Sequence, residues 1–229
     1  MARNKYPEVT VNRILDTALR LFLEKGYEHT TIQDIVDGLG GLSKGAIYHH
    51  FKSKEDIIEA VAERFYGGME HVFNALLEDP SLNGLEKLRR ALSLSLENPN
   101  QAVFMQAAPT FLKNPRFLAR ELTSDMQDVA PRFLAPVIRQ GMEDGSIHTD
   151  SPDELAEILL LICDIWINPM VFTYTAPQLA SRLRFAQRLL EQQGAPVLTD
   201  AMLQRMEEYR ALIAAKAKEG ALRMDEKGE

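Results

Sequence analysis

The chain has 229 residues and a formal net charge of −7, which argues against a broad, nonspecific nucleic-acid surface. A hydrophobic content of 45% and a charged content of 26% are ordinary for a globular protein with a real core. The single cysteine, Cys163, excludes an internal disulfide and favours a reducing, cytoplasmic compartment.

Neither the amino terminus nor the longest apolar run has the features of a targeting or membrane-spanning segment. The first residues, MARNKYPEVTV, lack the apolar core of a signal peptide. The longest apolar run, residues 158–172, is interrupted by Asp164, Asn168 and Pro169. Because it is too short and too polar to span a bilayer, this run predicts a buried helix.

The amino-terminal residues predict two helices in succession. Apolar residues recur at spacings of three and four over residues 11–22, which predicts a helix that begins at Thr10 and ends at Gly26. Thr31 is followed three residues later by Asp34, a pattern typical of a capping box at the start of a second helix.

A third short helix is predicted in LSKGAIYHHF, with Ser43 as its cap. At about 100° per residue, Ile47 and Phe51 lie on one side of this helix and can anchor it to a core. Small and polar side chains gather on a different, exposed arc of the helix. These are Lys44, Gly45, Tyr48 and His49.

A long fourth helix is predicted over residues 53–80, where Ser53 can cap its start together with Asp56. Short helices crowded before a long one, with glycines between the second and third, form a helix-turn-helix arrangement. No acidic residue occurs between Asp37 and Glu55. A carboxylate on this segment would repel phosphate, so the charge pattern favours a local DNA contact.

The stretches RILDTALRLFLEKGYEHTTIQDIV and LSKGAIYHHFKSKEDII resemble the DNA-binding head of the TetR family of bacterial transcription regulators. The resemblance implies an all-α protein with a helix-turn-helix domain over residues 1–54. It also implies a ligand-binding and dimerisation domain over residues 55–229, and a homodimeric repressor that a small molecule releases from its operator. The residues that the resemblance assigns to DNA contact are Thr31, Ser43, Lys44, Gly45, Tyr48, His49, His50 and Lys54.

The turn before the third helix departs from the family pattern. The segment from Ile35 to Ser43 is one residue longer than usual, and the surplus lies in GLGGL. Because glycine adopts left-handed dihedral angles without strain, we expect the turn to absorb the extra residue.

The carboxy-terminal domain contains a segment rich in phenylalanine and methionine. Its prolines, Pro109, Pro115, Pro131 and Pro136, are expected to divide or kink the helices and could frame an apolar cavity. Asp164 lies inside an apolar helix and must find a partner in the core, across a dimer interface or on a ligand. The predicted ligand-binding residues are Phe104, Met105, Phe111, Phe117, Met126, Asp164, Trp166 and Asn168. The alternative is that these side chains only fill the core.

Residues 153–193 predict two consecutive helices, the first too apolar for an exposed surface. Packing this pair against its symmetry mate would bury both in a four-helix bundle, which predicts a homodimer. A further helix follows, with Met202, Met206, Tyr209 and Ile213 on one face.

The sequence contains no motif that indicates an enzyme, a metal site or a cofactor. His49 and His50 point about 100° apart on a helix and have no other metal ligand spaced to help them. Cys163 lies in an apolar helix, which is more typical of a small core residue than of a nucleophile. The alternative function is a helical DNA-binding regulator that recruits a protein partner through its carboxy-terminal domain, without a small-molecule inducer.

Overall fold

A computed structural model of the chain describes residues 7–66, 69–97, 115–169 and 171–225. All the regular structure in these ranges is helical, so the predicted all-α fold is confirmed. The described residues fall into two compact units, one made of residues 7–66 and the other of the rest. The predicted domain boundary after residue 54 stays a prediction.

The first unit contains four helices. They are α1 (Pro7–Lys25), α2 (Ile32–Gly38), α3 (Lys44–His50) and α4 (Lys54–Tyr66). The predicted start of α1 at Thr10 is wrong, because the helix already begins at Pro7, where a proline loses no hydrogen bond. Its predicted end is confirmed, since Gly26 has a φ of 83°.

The caps of α2 and α3 are those that the sequence predicts. The Thr31 hydroxyl accepts a hydrogen bond from the Asp34 backbone N–H, and the Asp34 carboxylate accepts one from the Thr31 N–H. The Ser43 hydroxyl accepts a hydrogen bond from the Ala46 N–H at 3.3 Å. These bonds satisfy backbone donors that a helix start leaves unpaired, so local sequence defines where both short helices begin.

The start of α4 is capped by Ser53, whose hydroxyl accepts a hydrogen bond from the Asp56 N–H at 3.1 Å. Arg64 near the end of α4 makes an ion pair with Asp16 of α1 at 2.7 Å. Together with the buried side chains of α1 and α4, these contacts fix α4 within the first unit. Residues 67–68 lie outside the described ranges, so the predicted continuation of this helix stays a prediction.

The second unit contains the remaining helices. They are α5 (Met69–Glu78), α6 (Gly84–Glu97), α7 (Pro115–Ser124), α8 (Ala135–Asp144), α9 (Pro152–Leu160), α10 (Ala176–Gln192) and α11 (Asp200–Asp225). A π-helical segment, Asp125–Leu134, joins α7 to α8, and a second, Leu161–Trp166, extends α9. None of the helices in the described ranges is both long and apolar enough to cross a membrane.

The prolines act much as predicted. Pro115 begins α7, and Pro136 lies in the first turn of α8. At these positions the missing backbone N–H of proline costs little helical hydrogen bonding. Pro131 lies inside the first π-helical segment, where a widened turn accommodates its missing N–H. Pro109 lies outside the described residues.

Two glycines allow α6 and α8 to cross closely. A Cβ atom on Gly84 would lie 2.3 Å from the backbone nitrogen of Gly141, so only glycine fits there. The Asp144 carboxylate accepts a hydrogen bond from the Gly84 N–H at 2.8 Å, and the Ser146 hydroxyl accepts one from the Leu85 N–H. The end of α8 thereby caps the start of α6 and fixes this crossing.

The apolar run at residues 158–172 is only partly buried, which corrects the prediction of a buried helix. Leu159, Leu160, Ile162 and Ile167 line the core, but Ile158 is 43% exposed. The helix ends at Trp166, and Leu161 and Phe172 are also exposed. In the single chain, this apolar helix packs one side on the core and leaves the side with Ile158 and Leu161 exposed.

The last helix packs as predicted on its Met202 and Met206 side. Both methionines are buried, and Tyr209 and Ile213 on the same face are half-buried. On α10, Leu179, Leu183, Ala186 and Leu190 are fully buried in the same core. The carboxy-terminal helices therefore belong to a single hydrophobic core with α5, α6, the first π-helical segment, α8 and α9.

Candidate functional site

Helix α3 has one buried side and one exposed side, as its spacing predicts. Ile47 is completely buried and Phe51, at the carboxy-terminal cap, is nearly so. The side chains on the opposite arc all face solvent. These are Lys44, Gly45, Tyr48 and His49. The first unit, here called the head, therefore presents a polar, aromatic and glycine-containing surface on α3. The other side of α3 is buried in the core of the head.

Contacts among these side chains are few, so most of their polar groups remain available. The Lys44 ammonium lies 6.0 Å from the centroid of the Tyr48 ring. His50 is half-buried, and its ring meets that of His49 edge to face at 5.2 Å. Across the ranges that the structure describes, no group of histidine, cysteine, aspartate or glutamate side chains is arranged to hold a metal ion.

The long turn between α2 and α3 takes up its extra residue through glycine. Gly40 and Gly41 have φ angles of 53° and 111°, in the left-handed region that other residues avoid. Leu39 is buried, and its carbonyl accepts a hydrogen bond from Arg13 of α1 at 3.0 Å. The turn is therefore tied to α1 on the α2 side, and the expectation for its glycines is confirmed.

Thr31 is exposed at the start of α2, beside a small charged network. The Lys25 ammonium donates to the Asp34 carboxylate at 2.7 Å, and the Thr31 hydroxyl donates to the same carboxylate. The hydrogen bond from Lys25, followed by those from Thr31, holds the pKa of Asp34 well below its usual range. Asp34 is thus charged and already paired inside the head at neutral pH.

Lys54 lies apart from the exposed arc of α3. Its side chain is half-buried, and its ammonium donates to the Tyr27 carbonyl in the turn between α1 and α2 at 2.8 Å. The predicted contact of Lys54 with phosphate stays a prediction.

The predicted ligand-binding residues lie in the second unit, apart from three that are not described. Phe104, Met105 and Phe111 lie outside the described residues. Phe117 is buried, and Met126 is half-buried against the core. Both positions are compatible with filling the core and with contacting a ligand. The predicted role of Phe117 and Met126 in ligand binding therefore stays a prediction.

Asp164 has acidic neighbours that the sequence analysis missed. Burial, and then the charges of Asp125 and Glu121, raise the pKa of Asp164 from 3.8 to about 7. Burial, followed by the charge of Glu121, raises the pKa of Asp125 to about 6. Asp164 keeps exposed surface although desolvation is the first cause of its pKa shift.

Trp166 lies at the end of the same π-helical segment in an aromatic and cationic cluster. Its ring meets Phe185 of α10 edge to face at 5.8 Å. The Arg182 guanidinium lies 5.9 Å from the Trp166 ring and 4.5 Å from the Tyr174 ring. The Asn168 side-chain amide donates to the Asp164 backbone carbonyl at 3.0 Å.

A surface cleft of about 580 Å³ lies elsewhere in the second unit, between the α8–α9 connection and the end of α10. Met142, His148, Asp150 and Gln193 are among the residues that line it. None of the predicted ligand-binding residues that the structure describes lines this cleft.

The raised pKa of Asp164 predicts a stability that falls as the pH rises. A carboxyl group whose pKa is higher in the folded than in the unfolded chain stabilises the fold below pH 3.8, and this contribution is lost as the pH rises to about 7. Asp164→Asn should therefore match the wild type near pH 4 and be more stable at pH 8. Urea denaturation across this range measures the difference, with Glu157→Gln on the exposed side of α9 as control. A difference that does not change with pH would contradict the prediction.

Comparison with known proteins decides the family. Residues 14–61, which contain the candidate site on α2 and α3, match the family model for bacterial regulatory proteins of the tetR family. The chain is also 30% identical over 142 residues to the HTH-type transcriptional repressor KstR2 of Mycobacterium tuberculosis, covering 60% of this chain and 68% of that one. The chain belongs to the TetR family.

Another TetR-family relative covers more of the chain. The HTH-type transcriptional repressor AcnR of Corynebacterium glutamicum is 29% identical over 164 residues, which are 70% of this chain and 80% of AcnR. Among solved structures, SmeT, the repressor of the Stenotrophomonas maltophilia multidrug efflux pump SmeDEF, has a TM-score of 0.57 at 20% identity. The alignment covers 86% of this chain and 95% of SmeT, so the TetR fold extends well beyond the head.

A second solved structure, a transcriptional regulator from Cytophaga hutchinsonii, has a TM-score of 0.55 at 17% identity and covers 93% of this chain and 98% of that one. Membership of the TetR family makes this protein a transcription regulator rather than an enzyme. It also means that the exposed side of α3 lies on the helix-turn-helix element after which the relatives are named.

Proposed function

We propose that the protein regulates transcription, most simply as a repressor, by binding a near-palindromic operator as a homodimer that a small, largely apolar ligand releases. The observation that carries the DNA contact is the exposed arc of α3. It combines a cation, an aromatic ring and a histidine on a surface segment that contains no carboxylate.

The geometry of α3 suits an approach to the floor of the major groove. A Cβ atom on Gly45 would have only the Ser43 hydroxyl within 4 Å, at 3.8 Å, so nothing bulky stands between this backbone and a base pair. Tyr48 and His49 project from the same arc and can donate and accept hydrogen bonds at base edges. Thr31, Ser43 and Lys44 are proposed to contact the flanking phosphates, and His50 to support the edge of the arc.

A second copy of the chain is proposed to cover the exposed apolar side of α9 and α10. Ile158 and Leu161 are exposed on the α9 side, and Phe185 is 50% exposed on α10. Two copies related by a two-fold axis would bury this surface in a four-helix bundle. The same axis would present two α3 helices to adjacent turns of a duplex, at half-sites about one helical turn or a small multiple of it apart.

The ligand is proposed to bind in the second unit, close to Asp164 and Trp166. Apolar surface from Met126 and the Trp166 ring would supply contact area, and the polar groups of Asp164 and Asn168 would orient the ligand. A regulator that meets chromosomal DNA in a bacterium would do so in the cytoplasm.

Selection of binding sites from random duplex DNA tests this function and its symmetry together. We expect a single inverted repeat to be enriched. Tyr48→Ala should bind that repeat roughly tenfold more weakly, because a lost base contact costs on the order of 1–3 kcal/mol. Its thermal stability should be unchanged, since the Tyr48 ring is exposed.

Leu23→Ala is the matched control, because Leu23 is also exposed on the head but lies on α1, away from α3 in the sequence. It should bind the repeat as the wild type does. Enrichment of a site without inverted symmetry would contradict the homodimer, and a folded Tyr48→Ala protein with wild-type affinity would contradict the assignment of α3.

A further inference from the structure

The ammonium group of Lys54 is engaged inside the head rather than directed at solvent. It donates to the Tyr27 carbonyl at 2.8 Å and, more weakly, to the Glu28 carbonyl at 3.4 Å. It also lies 4.3 Å from the centroid of the Tyr27 ring, within the range of a cation–π interaction. A lysine has three N–H donors, so these contacts occupy most of its capacity.

The turn that Lys54 contacts is also fixed by packing and by further hydrogen bonds. Tyr27 is buried, packs edge to face on Phe22 at 5.3 Å, and donates its hydroxyl proton to Glu55 of α4 at 3.2 Å. The Thr30 side chain is also buried, and its hydroxyl donates to the Gly26 carbonyl at 2.9 Å. Lys54 and Glu55 thus fasten the first turn of α4 to the segment from Gly26 to Thr30.

This clamp, formed by Lys54, Glu55 and Tyr27, adjoins the starts of α2 and α4, the two helices on either side of α3 in the chain. The segment it holds ends one residue before Thr31, the cap of α2. α3 ends at His50, three residues before the cap of α4 at Ser53. A shift at the clamp would therefore move the start of α2 relative to the start of α4. Because α3 lies between these two helices in the chain, such a shift would also change the position of α3.

We propose that Lys54 is a positioning residue for operator binding, whose charge holds the α1–α2 turn against α4 instead of contacting a phosphate. This inference rests on the proposed function, since it concerns the affinity of α3 for its operator. The two roles differ in one measurable property. A lysine that contacts phosphate releases a counterion on binding, whereas a positioning lysine does not.

The test is a salt titration of operator binding by Lys54→Met, which keeps the apolar stem of the side chain and removes the ammonium. We expect the affinity to fall roughly tenfold, the size of one lost charge-assisted hydrogen bond. The slope of log affinity against log salt should remain that of the wild type. Lys44→Met is the matched control, because Lys44 is exposed on α3, and its slope should decrease by about one unit.

If Lys54 only stabilises the fold, Lys54→Met would lower the midpoint of unfolding and leave the operator affinity of the folded fraction unchanged. That result would overturn the proposal. A slope lowered by about one unit in Lys54→Met would overturn it in favour of phosphate contact. If Lys54→Met does not fold, the side-chain ¹⁵Nζ resonance of Lys54 in the wild type gives the answer. It should keep its position when operator is added, while that of Lys44 moves.

A movement of the Lys54 resonance comparable to that of Lys44 would also refute the positioning role. Failure of the proposed function is separate and easily recognised, because the wild type would then bind no selected duplex at all.

Discussion

A Phe185→Glu variant is expected to sediment as a monomer at micromolar concentration and to bind the operator about 100-fold more weakly than the wild type, or worse. Phe185 is half exposed and apolar on α10, so burial of its exposed half by a second copy would contribute about 0.8–1.5 kcal/mol, half of the value for a fully exposed side chain. In a two-fold interface each substitution acts twice, and each copy would also have to bury an unpaired carboxylate.

Loss of the dimer should weaken operator binding even though α3 is untouched. In a dimer, binding of one head places the other near its half-site at an effective concentration in the millimolar range, and a monomer lacks this advantage. Met142→Glu is the control, because it places the same charge at an exposed apolar residue on α8. A Phe185→Glu protein that remains dimeric in sedimentation equilibrium, with wild-type operator affinity, would show that the interface lies elsewhere.

The head could be predicted from the sequence almost residue by residue because local interactions determine it. The caps at Thr31 and Ser43 are bonds between residues three positions apart, and such bonds are visible in the sequence as spacing. The buried positions of Ile47 and Phe51 follow from helical periodicity alone. The glycine turn was predictable for the same reason, since positive φ angles favour one residue type.

The second unit was predicted less well because its decisive contacts join distant parts of the chain. The crossing of Gly84 and Gly141 brings together residues of α6 and α8 that no local pattern relates. The π-helical segments likewise have no local signal apart from Pro131, because a widened turn persists only where tertiary packing supports it.

The acidic neighbours of Asp164 illustrate the same limit. The sequence indicated that Asp164 needed a partner in the core, across a dimer interface or on a ligand. The structure places Asp125 and Glu121 nearby, and burial, followed by the charges of these two residues, raises the pKa of the Asp164 carboxyl group. The first π-helical segment packs beside α9, and only this tertiary contact could have revealed the cluster.

Lys54 is the residue for which spacing and geometry lead to different expectations. Its position at the start of α4 matches a phosphate contact in the family pattern, but its ammonium donates a hydrogen bond to the Tyr27 carbonyl. The direction of a long, flexible side chain is decided by its tertiary surroundings, which spacing along the chain does not describe.

A ligand that regulates the protein should weaken operator binding by about 10–100-fold, and the operator should weaken ligand binding by the same factor. This equality follows from linkage for a coupling of about 1–3 kcal/mol. The ligand can shift the equilibrium only by its different affinities for the two states of the protein. Trp166 is the only tryptophan, so quenching of its fluorescence reports on the proposed pocket without a label.

The experiment is a fluorescence screen of metabolite and drug-like libraries, followed by titration of each quenching compound with and without operator duplex. Because Trp166 also contacts Phe185 near the proposed dimer interface, the titrations require a protein concentration at which the wild type is fully dimeric. Tyr48→Ala is the matched variant, since it should bind the ligand normally while roughly tenfold more operator is needed to change that affinity. A compound that quenches Trp166 and leaves operator affinity unchanged would disprove the coupling, and recruitment of a protein partner would become the better account of the second unit.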